Sequence, residues 1–201
     1  MSSPRDMKVR IPVNYVGMTD QMVFSTALPT SLTVTIRDNG KQLRQIAKQH
    51  LHLNIDISHY LTEEKGILTL QAEMLRPKLQ DLLPGSTAVQ HITPEAISTE
   101  YTVLQKKLVP VRVVSQVSVA PQHQLVGEVQ VIPNQVYIYG TQADIANIDY
   151  ITTDSLYHNN LRDSIAMTAQ LVAPKNIRVT PKHVVAKWQA EPFTEKTFTL
   201  P

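Results

Sequence analysis

Apolar and polar residues alternate along much of this chain, which is the period of a β-strand with one buried face. The clearest runs are residues 32–37, 51–57 and 135–139. In the last of these, Val136 and Ile138 alternate with Tyr137 and Tyr139. The pattern therefore predicts one buried and one solvent-facing side for each of these strands.

Shorter apolar runs rich in β-branched residues predict further strands. These runs are residues 9–16, 66–73, 96–104, 108–115, 126–132, 164–171 and 184–190. Helical spacing is confined to residues 41–49, 77–83 and 143–147. The 13 prolines fit many short strands and edges better than a helical protein. The sequence thus predicts a mainly β, all-β-class fold with short helices.

The chain also repeats a series of landmarks in one order. Residues 7–13 read Met-Lys-Val-Arg-Ile-Pro-Val, and residues 106–113 read Lys-Lys-Leu-Val-Pro-Val-Arg-Val. In both copies there follow an apolar-Pro pair with a strand, a short helical stretch, and a Thr-Pro pair before the last strand. We therefore predict two tandem domains, residues 7–105 and 106–201. An insertion near residues 76–89 distinguishes the first.

These landmarks, together with the segment Ile55-Asp56-Ile57-Ser58 and the link Lys106-Lys107-Leu-Val-Pro-Val, resemble the YbbR-like domain family. The resemblance spans residues 8–200 as two copies. Two departures stand out: Gly40 is displaced from the end of its strand, and residues 153–156 replace the Ile-Asp-Ile-Ser segment in the second copy. The best-known members, the CdaR-type proteins, are membrane-anchored regulators of a bacterial diadenylate cyclase.

The resemblance implies two tandem YbbR-like domains of twisted, crossed β-sheet. It also implies a non-enzymatic, extracytoplasmic regulatory or scaffold module that binds and modulates a membrane diadenylate cyclase, and so cyclic-di-AMP levels. An N-terminal membrane anchor before residue 1 is expected for the full-length protein. Two alternatives remain open, a cell-envelope adhesion or ligand-binding β module and an RNA-binding β domain, and self-association is open as well.

Composition narrows these alternatives. The 19 basic and 17 acidic residues leave a net charge of +2, and the basic residues are scattered, so no nucleic-acid partner is expected. No apolar run approaches the roughly 20 residues of a membrane helix, so the chain itself is expected to be soluble. The absence of cysteine excludes disulfides and thiolate chemistry.

Enzymatic motifs are missing from the sequence. The closest two of the six glycines, Gly127 and Gly140, are 13 positions apart, so no phosphate-binding or dinucleotide-binding loop can form. The nearest approach to a metal site is His50 and His52 with Asp56, which are better explained as the solvent face of a strand. We therefore expect no catalytic residues, no cofactor and no metal.

Two groups of residues are candidates for contact with a partner. Tyr137 and Tyr139 are predicted to form an exposed aromatic pair on the central strand of the second copy. Leu79, Leu82 and Leu83 lie at helical spacing in the insertion and would either dock on a partner or cover their own domain.

A second pair of aromatic residues has a different interpretation. Tyr101 and Trp188 each stand seven residues after the Thr-Pro proline of their copy. A repeated aromatic position favours repeated packing, either in the core or between the domains, although it also fits a groove for a sugar or a peptide.

Overall fold

A computed structural model of the protein describes residues 3–194. The chain divides into two compact units, with the boundary between Val103 and Leu104. Strands dominate and the helices are short, so the predicted mainly β fold is confirmed. No helix within residues 3–194 combines the length and the apolar character needed to cross a membrane. The predicted end of the second domain, residues 195–201, lies outside the described residues.

The first unit is built from two sheets and two α-helices. Its elements are β1 (Pro4–Val16), β2 (Met22–Phe24), β3 (Ser31–Asn39), α1 (Gly40–Ala47), β4 (Leu53–Asp56), β5 (Lys65–Gln71), α2 (Arg76–Leu82), β6 (Ala88–Thr93) and β7 (Ala96–Val103). A four-stranded sheet has the order β4-β1-β3-β6, and a three-stranded sheet has the order β2-β7-β5. Only β1 and β4 pair in parallel among these described strands.

The second unit has a closely matching set of elements. They are β8 (Gln105–Val119), β9 (His123–Leu125), β10 (Gln130–Ile132), β11 (Gln135–Gly140), α3 (Gln142–Ile145), β12 (Ile151–Leu161), β13 (Ser164–Gln170), β14 (Arg178–Thr180) and β15 (His183–Pro192). One sheet has the order β12-β8-β11-β14, and the other has the order β10-β15-β13 with β9 also paired to β15. Here too the outer strand β12 runs parallel to its neighbour β8.

The large sheets of the two units share their strand order and their pairing directions. Strands β4, β1, β3 and β6 take the places that β12, β8, β11 and β14 take in the second unit. The register sets Pro12 opposite Ser31, and it sets Pro110 opposite Gln135. Ser31 and Gln135 are therefore equivalent positions in the two sheets. It follows that Thr33 is equivalent to Tyr137, and Thr35 to Tyr139.

Each unit has its own apolar core. In the first unit, buried residues of both sheets pack with α1 and α2, and in the second they pack with α3. The helix α1 follows β3 directly because the Asn39 side chain accepts a hydrogen bond from the Gln42 N–H at 2.9 Å and caps the helix. Its apolar residues Leu43 and Ile46 then face the core.

Several strands differ from the sequence prediction. Four strands were not predicted: β2, β9 and β14, which have three residues each, and β6, which has six. The predicted strand at residues 126–132 is reduced to β10. β12 was not predicted either. Residues 153–156, which depart from the family motif, lie where the pairing of this strand is irregular. The register between β12 and β8 shifts between Thr152 and Ser155. A bulge interrupts the period of two, so pattern alone cannot identify such a strand.

Candidate functional site

The two tyrosines of β11 project from the outer face of the large sheet of the second unit. Their neighbours Val136 and Ile138 lie in the core. Tyr137 is 42% exposed, whereas Tyr139 is only 3% exposed. The prediction of an exposed aromatic pair is therefore wrong for Tyr139.

Two cationic side chains lie close to the tyrosine rings. The residues directly opposite Tyr139 are Lys106 on β8 and Arg178 on β14. The Lys106 Nζ lies 4.2 Å from the centroid of the Tyr137 ring and 5.6 Å from that of Tyr139. The Arg178 guanidinium carbon lies 4.5 Å from the centroid of Tyr139. These distances are within cation–π range, so the outer face presents tyrosine rings overlaid by positive charge.

The insertion of the first unit packs on its own domain. Leu79 on α2 and Leu83 at its end are buried in the core, and Leu82 is partly buried. The Arg76 side chain fixes the start of α2, because its Nε and Nη2 each donate to the Glu73 carboxylate at 2.8 Å. Leu79 and Leu83 are therefore unavailable to a partner, and a contact role stays a prediction for Leu82 alone.

A buried carboxylate, which the sequence did not single out, ties this insertion to the large sheet. The Asp38 carboxylate accepts hydrogen bonds from the Thr87 hydroxyl at 2.8 Å, the Ser86 hydroxyl at 2.9 Å and the Asn39 N–H at 2.7 Å. These bonds, that of Thr87 above all, hold the pKa of Asp38 below its ordinary value. With its acceptor sites occupied in this way, Asp38 has a structural role.

The histidines near β4 do not assemble into a metal site. Asp56 accepts hydrogen bonds from the Ser58 hydroxyl at 2.6 Å and from the Ser58 N–H at 3.0 Å, and it lies 3.4 Å from the His59 ring. The Ser58 hydroxyl is the main reason that the pKa of Asp56 is lowered. Within residues 3–194, no group of three or more His, Asp or Glu side chains is placed to hold a metal ion.

Tyr101 and Trp188 each lie beside an open cleft of their own unit. A cleft of about 520 Å³ in the first unit is lined by Tyr101 and by Gly66, its cross-strand neighbour on β5. A cleft of about 330 Å³ in the second unit is lined by Trp188 and by Gly127. Both aromatic side chains are themselves buried. Trp188 belongs to the core of the second unit. Burial of both side chains agrees with the packing interpretation.

Comparison with known proteins gives matches of limited extent. No curated protein sequence matches the chain. A solution structure of a protein from Streptococcus thermophilus is 21% identical, with 48% of this chain and 93% of that chain covered and a TM-score of 0.37. A crystal structure of a YbbR-like protein from Streptococcus pneumoniae is 14% identical, with 96% and 98% covered and a TM-score of 0.42.

A family model locates the similarity more closely. Residues 109–187 match the model described as YbbR-like protein. The matched range begins within β8 and ends within β15, so it includes β11, β12 and β14 in full and most of β8. The second unit of this chain is therefore similar to the YbbR-like family.

Proposed function

We propose that this protein consists of two tandem YbbR-like domains and acts as a non-enzymatic regulatory module of the CdaR type. In this role it binds a membrane diadenylate cyclase from the extracytoplasmic side and modulates cyclic-di-AMP levels. The observation that carries the proposal is the family match over residues 109–187. The shared strand order of the two large sheets supports the presence of a second copy.

Protein contact, rather than catalysis, is the mode of action that the titratable groups support. The carboxylates with lowered pKa values are Asp38, Asp56 and Glu73. Asp38 accepts hydrogen bonds from Ser86 and Thr87 in a distant segment. Asp56 and Glu73 accept theirs locally, from Ser58 and from Arg76. A general acid or base must be free to exchange a proton with a substrate. These three groups are instead committed to the fold.

The proposal is tested by restoring membrane attachment. A form of the protein joined to an N-terminal membrane helix is co-expressed with the diadenylate cyclase of its own organism, and cyclic-di-AMP is measured. The same helix joined to an unrelated β domain is the control. We expect the anchored protein, but neither the control nor residues 1–201 alone, to change cyclic-di-AMP levels and to co-purify with the cyclase. Unchanged levels together with failed co-purification would refute the proposal.

A ligand-binding module is a second candidate, which the clefts beside Tyr101 and Trp188 favour. Aromatic side chains beside an open cleft are typical of sites for sugars or peptides. Thermal unfolding in the presence of cell-wall oligosaccharides tests this candidate, because a bound ligand raises the melting temperature. A saturable rise that Tyr101→Leu or Trp188→Leu abolishes would favour it over the regulator. The regulator proposal expects no shift with oligosaccharides or with nucleotides.

A further inference from the structure

Strand β5 is the outermost strand of the small sheet of the first unit, whose order is β2-β7-β5. Within residues 3–194, no strand pairs with the side of β5 that faces away from β7. An unpaired strand edge presents main-chain N–H and C=O groups that another extended chain can bond. The residues of β5 that present such groups follow from its pairing with β7.

Alternate residues of β5 direct their main-chain groups away from β7. The Val103 N–H donates to the Glu64 carbonyl at 2.8 Å, and the Ala72 N–H donates to the Glu95 carbonyl at 2.9 Å. Because hydrogen-bonded and non-hydrogen-bonded pairs alternate in an antiparallel ladder, the even-numbered residues of β5 bond to β7. The odd-numbered residues face outward and form what we call the free edge of β5: Lys65, Ile67, Thr69 and Gln71.

The side chains of the free edge are exposed to solvent as well. All four are exposed, whereas Leu68 and Leu70 between them are buried. Ile67 is 66% exposed, more than any other large apolar side chain among the described residues. An isoleucine in the middle of an open strand edge makes that edge apolar and well suited to pairing with another strand.

The other edge strands of the described residues are protected against such pairing. β2, β4, β9, β10 and β14 have only three or four residues each. The pairing of β12 is interrupted by a register shift, and on β6 the Arg76 side chain donates to the Val89 carbonyl. Short length, bulges and covering groups are the usual protection of strand edges. β5, in contrast, has seven residues in continuous register, with its one charged residue, Lys65, at its start.

The counterpart of β5 in the second unit is β13, which provides a matched comparison. The Leu171 N–H donates to the Lys182 carbonyl at 2.8 Å, just as the Ala72 N–H donates to Glu95. Thr69 and Thr168, each three residues before its donor, are therefore equivalent, and Ala166 is the equivalent of Ile67. β13 also lies against β12. The exposed isoleucine on an open edge is thus a property of the first unit.

We infer that the free edge of β5 pairs with the same edge of a second copy of the chain, antiparallel and about a two-fold axis. Ile67 then lies opposite Ile67 of the second copy, and each donates its N–H to the carbonyl of the other. Lys65 lies opposite Thr69 of the second copy, so the two lysines are at opposite ends of the contact and do not repel each other. A second copy fits this edge because it brings an open strand of the same length with the same apolar residue at its centre.

The size of the contact sets its expected strength. One pair of strand edges of this length buries less than the roughly 1,200 Å² of a stable interface, so we expect a weak and reversible dimer. Its population should therefore depend on protein concentration. The contact goes beyond the proposed function, because it joins two copies of the chain and involves no cyclase.

Sedimentation velocity of residues 1–201 between about 10 µM and 1 mM tests the inference, and the average mass is expected to rise with concentration towards that of a dimer. Thr69→Pro removes an outward N–H that β7 does not use, and edge strands tolerate proline at such positions. It is expected to raise the dissociation constant about tenfold or more, because the symmetric contact loses two hydrogen bonds. Thr168→Pro, the matched control on β13, is expected to change it less than about twofold.

Two charge variants test the register of the pairing. I67K and I67E each place like charges opposite one another, so each alone should remain monomeric at concentrations where the original chain associates. Mixed in equal amounts they should associate, because a lysine then faces a glutamate. A166K places the same charge at the equivalent position of β13 and is expected to associate as the original chain does.

Melting temperatures of the variants separate loss of the contact from loss of folding. The inference is overturned if the original chain stays monomeric up to about 1 mM, or if Thr69→Pro and Thr168→Pro affect association equally. It is overturned as well if mixed I67K and I67E fail to associate, and this outcome decides the matter even if Thr69→Pro proves unstable. None of these measurements involves cyclic-di-AMP, so a failure here leaves the proposed function to its own test.

Discussion

At the scale of single residues, Asp38 makes the stability of the first unit depend on pH. Its folded pKa is lowered, chiefly by the Thr87 hydroxyl, so the ionised form stabilises the fold. A lowered folded pKa contributes stability above the unfolded pKa, near 3.8, and that stability is lost as pH falls through the folded pKa. We expect Asp38→Asn to lower the melting temperature of the first unit at pH 7 and to reduce its loss of stability in acid.

Melting curves of the first unit between pH 6 and pH 2.5 measure this effect. Thr87→Val is the matched second variant, because it removes the most important donor while keeping the size and shape of the side chain. It is expected to reproduce part of the effect of Asp38→Asn at pH 7. If Asp38→Asn left both the melting temperature and the acid dependence unchanged, the carboxylate would have no role in holding residues 86 and 87 against β3.

A second constraint on a single residue is the lack of space for a side chain at Gly66. A Cβ built at Gly66 would lie 2.8 Å from the Tyr101 Oη, closer than real side chains approach. The three nearest atoms all belong to the Tyr101 phenol group, so the whole ring would have to shift. We expect Gly66→Ala to destabilise the first unit by about 1–3 kcal/mol, as overpacking does. Urea denaturation measures this, with Gly85→Ala as the control.

The control glycine differs from Gly66 in its surroundings. A Cβ at Gly85 meets no atom within 4 Å. Gly85→Ala is therefore expected to be neutral or to stabilise by up to about 1 kcal/mol through the unfolded chain. Equal destabilisation by the two substitutions would show that backbone freedom, and not contact with Tyr101, is what matters at residue 66.

At the scale of elements, α2 provides a direct test of whether the insertion belongs to the core. Leu79 is fully buried, and Leu82 one turn later is only partly buried. Leu79→Ala should cost about 2–5 kcal/mol, the usual range for a cavity in a core. Leu82→Ala should cost under about 1 kcal/mol. Chemical denaturation measures the free energy of unfolding of the two variants. Similar small losses of that free energy in both would mean that α2 does not pack as described.

The individual strands also show which features the alternation of apolar and polar residues predicts and which it does not. β3 and β11 were predictable because a strand buried on one face alternates, as Val136 and Ile138 do. β12 was not, since its bulge interrupts that period and its parallel pairing with β8 comes from distant residues. The face on which Tyr139 lies was likewise predictable. Its burial was not, because burial depends on side chains from distant parts of the sequence, and Lys106 and Arg178 approach the ring from neighbouring strands.

At the scale of the whole molecule, the same reasoning explains why the grouping of three cations on one sheet of the second unit could not be predicted. Lys106, Arg112 and Arg178 are spread over more than 70 positions, and a count of charges along the chain places them among many others. Only the pairing of β8 with β11, and of β11 with β14, collects them on one surface. Repeated landmarks, by contrast, are local in sequence, and they predicted two domains without any knowledge of strand pairing.

Independent folding of the two units is the last prediction, and it follows from where the cores lie. The buried cluster of the first unit runs from Ile11 to Ile97, and that of the second from Val109 to Ala190. A segment of about 100 residues buries enough surface to fold alone. Residues 1–103 and 104–201, prepared as separate fragments, should therefore each unfold in one cooperative transition in urea, followed by circular dichroism.

The full chain supplies the control for the fragments. Leu79→Ala in residues 1–201 should shift the transition of the first unit and leave that of the second in place, because Leu79 packs only within the first core. A fragment that stayed unfolded while the full chain folded would contradict independent folding. So would a Leu79→Ala variant whose effect spread equally to both transitions. In either case each core would depend on the other unit for its stability, and two separate domains would no longer describe the molecule.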